Sequence, residues 1–327
     1  MPRQPFVPVK IGVVGLGCFG RLHALTIAHL AEAELVGVVA RRQASLDQAA
    51  TELPGIPGWT SLDQALEAST AAAWVVACST VDHVRVTSQI LKAGKAVLLE
   101  KPIADDLAQA QSLSPLVRPD SSSLMLGHIV LFNTEFQQLR EEAARRGPIA
   151  LIDCVRHRPA HTVTNFPGEN PLFATMVHDL YAVQALLGGT EPAKSSAQFH
   201  RTPQGAIDLA LAQLQWNGGA IASFAASYLT PAGMPSRGFD RMEVFGEGWS
   251  ARISPNPRPI EVWDKQADWP LALEIRANST SAAGMLAEEL RCFCRVVRGE
   301  QEVPTGARFA DALQVQAWMV RLPRLGD

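Results

Sequence analysis

An excess of charge of either sign is missing from this chain of 327 residues. Its 29 Lys and Arg stand against 32 Asp and Glu, for a formal net charge of -3. A balance so near neutrality leaves no electrostatic footprint for nucleic acid. Long apolar runs are missing too, which excludes a membrane-spanning helix and any expectation of a membrane partner. The opening residues, MPRQPFVPVKIGVVG, lack a signal-peptide core and cleavage site, and a strand pattern begins almost at once. A cytoplasmic protein is expected. Cysteine is sparse. Cys18, Cys78, Cys154, Cys292 and Cys294 are scattered, odd in number and free of any C-x-x-C pair, so reduced thiols are expected rather than disulfides or a thiolate zinc site. Internal repeats and low-complexity segments are also absent. What is present is apolar: 47% hydrophobic residues against 19% charged allow a sizeable core, and the length suits two domains.

The first 127 residues alternate short apolar runs with amphipathic stretches. Strands are expected at Val9–Val14, Leu35–Val39, Ala73–Ala77, Ala96–Leu99 and Leu124–Gly127. Helices are expected at Phe19–Leu30, Asp47–Leu53, His83–Ala93 and Leu107–Val117, with PGIPGW as a loop and Ser61-x-x-Gln64 as a capping box. Uniformly apolar strands separated by helices imply a parallel sheet covered on both faces. Residues 128–327 read differently. Helix Thr134–Arg146 stops at Gly147-Pro148, and strand Ile149–Arg156 leads into a polar loop over 157–170. Asn170-Pro171 opens a helix that runs to Leu187. From about Ser195 to Trp263 the chain reads as strands and turns, including a hairpin at Asn217-Gly218, before closing helices at Ala282–Val297 and Ala307–Leu322. The expected fold is α/β plus α+β: a doubly wound domain over 1–127, then a 128–327 domain with a large, mostly antiparallel open sheet.

Strand one leads into Gly15-x-Gly17-x-x-Gly20, which spans Cys18 and Phe19 and opens a helix. In that context the spacing is a dinucleotide fingerprint. One glycine allows the tight turn, the next lets backbone approach a pyrophosphate, and the last lets helix pack on strand. An NAD-binding chain usually carries an acid at the end of the second strand. Here Ala40, Arg41 and Arg42 stand there. No carboxylate repels a 2′-phosphate and two guanidiniums can pair with one, which favours NADP(H). If both arginines are merely solvated, NAD(H) stays open.

The run Ala96–Leu99 ends in Glu100-Lys101-Pro102. Either the strand simply reaches solvent there, or its end carries chemistry. The stretches GVVGLGCFG, VVACSTVDHV, AGKAVLLEKP and MVHDLYAVQALLG, in this order, resemble the Gfo/Idh/MocA oxidoreductase family over nearly the whole chain. The resemblance implies a Rossmann domain, a C-terminal domain whose open sheet makes a homodimer or homotetramer, and a sugar, inositol or related small molecule bound between nicotinamide and sheet domain. It implies that Lys101 contacts the substrate hydroxyl and the nicotinamide ribose. Pro102 fixes the turn in this reading, Glu100 supports the lysine, and Ser79, Thr80 and His83 lie near the cofactor. A fixed positive charge at Lys101 favours the alkoxide that must form before hydride leaves.

Much of that family carries Asp-x-x-x-His on a later helix. His178 matches the histidine, but the position four earlier is Ala174, and the family's later aspartate is matched by Tyr181. Asp179 points about 100° around the helix and cannot stand in for position 174. His178 remains the expected general base. Thr175 and Tyr181, one turn away, are candidate ligands for substrate hydroxyls.

Arg156, His157, Arg158 and His161 form a basic stretch able to receive an anionic group, with a solvated loop as the plainer reading. Two histidines flanking Arg158-Pro159 are too few for a metal, and none is expected. His128 and Asn133 resemble a pattern of family members acting on nucleotide-sugars. Three readings compete. The first is an NADP(H)-dependent oxidoreductase in which Lys101 polarises the oxygen and His178 moves the proton. The second is a nicotinamide-dependent glycoside hydrolase. The third is a non-catalytic NADP(H)-binding regulator, which Ala174 favours and Lys101 with His178 oppose.

Overall fold

The structure, a computed structural model, describes residues 7–160, 162, 170–231, 234, 239–254, 258–259, 262–263, 267–268, 271–272, 275–278 and 281–326. The chain divides into two compact units. The first ends at Ile129 and takes back Ile275–Leu313; the second is Val130–Glu274 with the residues from Gln314 onward. The division read from the sequence was two consecutive blocks.

In the first unit, β1 (Val9–Val14), β2 (Ala33–Val39), β3 (Gly58–Trp59), β4 (Ala73–Val76), β5 (Ala96–Glu100) and β6 (Leu124–Gly127) form one sheet in the order β3-β2-β1-β4-β5-β6. Every pair is parallel. Each residue of β4 and β6 is buried, as a sheet covered on both faces requires. The helices α1 (Cys18–Ala28), α2 (Gln43–Glu52), α3 (Leu62–Ala68), α4 (Thr80–Lys92) and α5 (Leu107–Gln111) connect the strands. Some expectations change. PGIPGW is not only a loop: Pro57 and Trp59 carbonyls accept from Val38 and Ala40 N–H groups, which makes Gly58–Trp59 an edge strand. Ser61 occupies the N-cap of α3 but its side chain makes no capping bond. The fifth helix stops at Gln111, and a separate 3-10 turn at Ser114–Leu116 follows, because Pro115 lacks the N–H that would continue the α-helix.

In the second unit, Asn133 caps α6 (Thr134–Arg146) by accepting from Phe136 N–H at 3.0 Å. β7 (Ile149–Pro159) runs three residues past its expected end, because β10 pairs with it as far as Pro159. Asn170 accepts from the N–H groups of Leu172 and Phe173, as an N-cap should. The helix it opens is not uniform: Leu172–Met176 is a π-helical turn that feeds α7 (Val177–Leu186). β8 (Lys194–Arg201), β9 (Ile207–Gln215), β10 (Ile221–Thr230), β11 (Phe239–Gly246) and β12 (Trp249–Ile253) complete a sheet in the order β12-β11-β7-β10-β9-β8. Only β7 and β10 pair parallel. The Asn217-Gly218 reversal joins β9 to β10 as expected, closed by Trp216 and Ala220.

Alternation gives this sheet two unlike faces. Ile152, Cys154, Ala212, Leu214, Ala222, Phe224, Met242 and Val244 are buried, and the Leu172–Met176 turn packs on β7 and β10. The opposite face aligns Phe245, Leu151 and Ile221 in one row and Val155, Ala225 and Leu211 in another. That face is partly or fully open along its length.

The return segment begins with the hairpin Ile275–Asn278/Ser281–Gly284. It continues through α8 (Met285–Val297) into the start of α9 (Phe309–Arg321). The expected helix over Ala282–Val297 thus begins only after Gly284, whose φ of 84° breaks the chain direction. The hairpin and α8 pack on α1. Among the described residues no helix is long and apolar enough to cross a membrane.

Candidate functional site

All strands of the first sheet point the same way, so the residues after β1, β2, β4 and β5 gather at its carboxyl edge. The order reverses between β1 and β4, the switch point where doubly wound sheets bind ligands. The fingerprint glycines sit there with three different reasons. Gly15 has φ +96°, and a Cβ on it would lie 2.5 Å from the Ala77 carbonyl. A Cβ on Gly20 would lie 2.0 Å from the Gly15 carbonyl. A Cβ on Gly17 would meet nothing within 4 Å. Gly15 and Gly20 are therefore required by the protein's own packing, whereas the bare backbone at Gly17 is spare room. Gly17 is the N-cap of α1 with no side-chain capping bond, and no acid occupies the first turn. Gly17 and Cys18 are exposed and Phe19 is half-buried. Unopposed N–H groups beside spare room fit the pyrophosphate of a dinucleotide.

Arg41 and Arg42 follow β2 and both are exposed. Arg41 has 81% of its side chain in solvent, and its Nη1 lies 3.5 Å from Asp82 Oδ2. Asp82, on α4, was not among the residues singled out by sequence. The Arg85 guanidinium, hydrogen-bonded at 2.7 Å, holds its carboxyl below the usual range. An ion pair this exposed is worth little, so Arg41 stays available to a ligand.

After β4, Ser79 is exposed, and it is the N-cap of α4 without spending its hydroxyl on a capping bond. Thr80 is half-buried. His83 is placed differently from the sequence expectation. It is 1% exposed, with Nδ1 2.8 Å from the Pro102 carbonyl and Nε2 3.1 Å from the Cys78 carbonyl. Burial lowers its pKa. It ties the β4–α4 turn to the turn after β5 and presents neither nitrogen to a cofactor. Cys78 beside it is pushed up to about 11 by burial and the Asp82 charge, so it stays a thiol.

Lys101 follows β5 at the carboxyl edge, half-buried, and its bond to Pro102 is cis. Glu100 is 7% exposed and faces inward. Its Oε1 lies 2.8 Å from His23 Nε2, and its Oε2 accepts from the Lys101 N–H at 3.3 Å. It therefore supports the Lys101 backbone and offers nothing to a cofactor directly. His128 and Asn133 are structural as well. His128 Nδ1 bonds the Gly306 carbonyl at 2.6 Å, and Asn133 is the α6 cap.

In the second unit the informative residue is the neighbour of His178. Asp179 is 3% exposed and receives a two-pronged bond from Arg156 on β7, at 3.1 and 2.8 Å. Arg156 also pairs with Asp240, which Arg158 reaches in turn at 2.5 and 3.0 Å. Burial alone would weaken the guanidinium's hold on its proton, but the two carboxylates outweigh it and keep Arg156 charged. This pairing removes the anion-receiving role considered for Arg156 and Arg158. It also ties α7 to β7 through Asp179. One residue earlier on the helix is about 100° round, so His178 turns away from the face that carries Asp179. His178 is half-buried between the buried Val177 and Asp179, and Ala174 is likewise half-buried.

Tyr181 and Thr175, expected as substrate ligands, are both buried. Tyr181 is fully buried. Its hydroxyl accepts from the Val130 N–H at 3.1 Å and lies 2.7 Å from His178 Nδ1, with the rings edge to face. The hydroxyl is thus engaged by the His178 ring and the Val130 backbone. The Thr175 hydroxyl, 6% exposed, donates to the Pro171 carbonyl at 2.6 Å across the π-helical turn. His157 Nδ1 lies 2.7 Å from the Ser227 hydroxyl. His161 lies outside the described residues.

Comparison with known proteins bears on the family and the fold. A family profile described as "Oxidoreductase family, NAD-binding Rossmann fold" matches residues 9–128, and one described as "GFO/IDH/MocA C-terminal domain" matches residues 122–252. An inositol 2-dehydrogenase of Leifsonia xyli subsp. xyli is 29% identical over 196 residues, a match that spans 59% of this chain and 57% of that one. A UDP-N-acetylglucosamine 3-dehydrogenase of Acidithiobacillus ferrooxidans is 28% identical over 322 residues, covering 95% of this chain and 97% of that one. The crystal structure of scyllo-inositol dehydrogenase from Lactobacillus casei with bound NAD(H) and scyllo-inositol shares the fold, with a TM-score of 0.82 at 21% identity over 98% of this chain and 97% of that one.

Proposed function

The chain belongs to the Gfo/Idh/MocA oxidoreductase family, and on that premise we propose that it is an NADP(H)-dependent dehydrogenase of a sugar, polyol or related small molecule. The observation that carries this reading is the carboxyl edge of the first sheet. There the spare room at Gly17 and the N-terminus of α1 fit a pyrophosphate, and Lys101 closes the strand one place beyond β4. The nicotinamide, when bound, takes or gives the hydride. Every other part belongs to the chain. The Lys101 ammonium holds the substrate oxygen and favours its alkoxide form. His178 takes the hydroxyl proton in oxidation and returns it in reduction. Tyr181 orients the His178 ring. Arg41 and Arg42 receive the 2′-phosphate.

NAD(H) is the second reading, because the Asp82 carboxylate beside Arg41 is the kind of group that binds unphosphorylated ribose. The open face of the second sheet, with Leu211, Ile221 and Phe245 each about two-fifths exposed, suits association with another copy of the chain.

The test is dinucleotide titration by calorimetry on wild type and on the double variant Arg41→Ala/Arg42→Ala, followed by a polyol and sugar screen with Lys101→Ala as control. NADP(H) should bind tighter than NAD(H), and the double variant should lose roughly tenfold or more for NADP(H) alone. A preference for NAD(H) indifferent to both arginines would assign the other cofactor. Binding of neither dinucleotide would end the enzyme reading.

A further inference from the structure

Three ligating side chains from distant parts of the sequence meet inside the first unit. They are His23 on α1, Glu100 at the end of β5 and Glu289 on α8, and their ligand atoms all lie within 4.8 Å of one another. His23 and Glu289 are fully buried and Glu100 nearly so. Hydrogen bonding accounts for only part of this cluster. Glu100 is held by His23 Nε2 and by the Lys101 N–H. Neither carboxylate oxygen of Glu289 has a hydrogen-bond partner. Buried charges are paired or coordinate metals, and among the described residues Glu100 is the one charge that acts on Glu289. Burial and the Glu100 charge both act against an ionised Glu289 standing alone.

One proton or one cation resolves the conflict, and the donor set is one a cation can use. An imidazole nitrogen and two carboxylates, with no thiolate, are nitrogen–oxygen ligands suited to a first-row divalent ion. A dication would cancel the two carboxylate charges and leave the site neutral. Metal–ligand bonds of about 2.0–2.2 Å place adjacent donor atoms roughly 3 Å apart. The 2.8 Å between His23 Nε2 and Glu100 Oε1 already has that spacing. We propose that His23, Glu100 and Glu289 bind one divalent transition-metal ion as a structural site that clamps α1 and α8 to the strand end bearing Lys101. Because the cluster is closed to solvent, the ion enters as the unit folds.

The test starts from untagged protein purified without chelator, with metal content read by plasma mass spectrometry. Wild type and Glu289→Gln are then unfolded in guanidinium chloride, refolded with Zn2+, Mn2+ or EDTA, and melted. The expected result is close to one metal per chain in wild type and a lower melting temperature after refolding in EDTA. Glu289→Gln should hold no metal and melt alike in all three conditions. Metal-free wild type with ion-independent melting overturns the proposal, and needs no variant to do so. A Glu289→Gln protein that melts higher than wild type refolded with metal also overturns it, since relief of an unneutralised carboxylate pair is what remains. Metal retained in full by Glu289→Gln places the ion elsewhere and overturns it too.

Discussion

Alanine at position 17 adds a methyl group that meets no protein atom within 4 Å. The backbone there, at φ -70° and ψ -174°, suits any residue, so Gly17→Ala introduces no strain. Removing a glycine's freedom from the unfolded chain stabilises by about 0.4–1 kcal/mol, so the melting temperature should hold or rise slightly. In the proposed reading of this turn, the methyl stands where a phosphate would approach the first N–H groups of α1. Loss of one charge-assisted hydrogen bond costs about 1.5–3 kcal/mol, a roughly ten- to hundredfold rise in dinucleotide Kd. Gly20→Ala is the contrasting perturbation. Its Cβ would stand 2.0 Å from the Gly15 carbonyl, where real contacts do not fall below 3.0 Å, so the main chain must move by about an ångström. Overpacking of that kind costs about 1–3 kcal/mol, and melting should fall by several degrees together with binding. Calorimetric titration and scanning calorimetry on both variants separate the two effects. Wild-type dinucleotide affinity in a stable Gly17→Ala protein would refute the assignment of this turn to the pyrophosphate.

Two further outcomes are expected. Tyr181→Phe strips the hydroxyl that bonds both His178 and the Val130 N–H; it should cost about 1–3 kcal/mol of stability. It should also lower kcat at least tenfold, a fraction of the 10²–10⁴ a positioned acid–base group supplies. Lowered melting with an unaltered pH–kcat profile would confine Tyr181 to packing. His128 is lowered from 6.5 to about 4, chiefly by burial. As pH falls below 6.5 the unfolded chain takes up a proton that the folded chain refuses until about 4. The associated stability, up to about 3 kcal/mol, is therefore complete above that window and lost within it. Melting temperature followed from pH 7.5 to 4.5 should fall less steeply in His128→Asn than in wild type; parallel curves would assign the acid sensitivity to other groups.

The strands β1, β4, β5 and β6 and the glycine turn were legible because each is written locally, in apolar runs and in turn chemistry. Elements whose existence depends on a distant partner were less so. Gly58–Trp59 becomes a strand only because β2 offers its edge, and β7 continues to Pro159 only because β10 lies beside it. The site divides the same way. Lys101 declares itself by sitting at the end of an apolar strand. His83, Thr175 and Tyr181 look like ligands in sequence because polar groups near a motif invite that reading. Each instead satisfies backbone: His83 the Pro102 carbonyl 19 residues on, and Tyr181 the Val130 N–H 51 residues back. Arg156 looks like part of a basic loop until Asp240, 84 residues later, neutralises it. Asp82 carried one usable signal, its place three residues before Arg85 in a first helical turn.

The return of Ile275–Leu313 to the first unit also sets a schedule for synthesis. β6 is the outer strand of its sheet, and Leu126 donates its N–H to the Ala307 carbonyl, while Met125 is bridged to Arg308. A ribosome that has just released Ile129 must add about 180 more residues before Ala307 and Arg308 emerge, roughly ten to forty seconds at ordinary elongation rates. Throughout that interval the nascent nucleotide-binding sheet carries an unprotected edge, the condition under which strands pair with the wrong chain. A fragment cut at the apparent boundary near residue 128 would hold that state permanently, and its insolubility would say nothing about the stability of the finished unit.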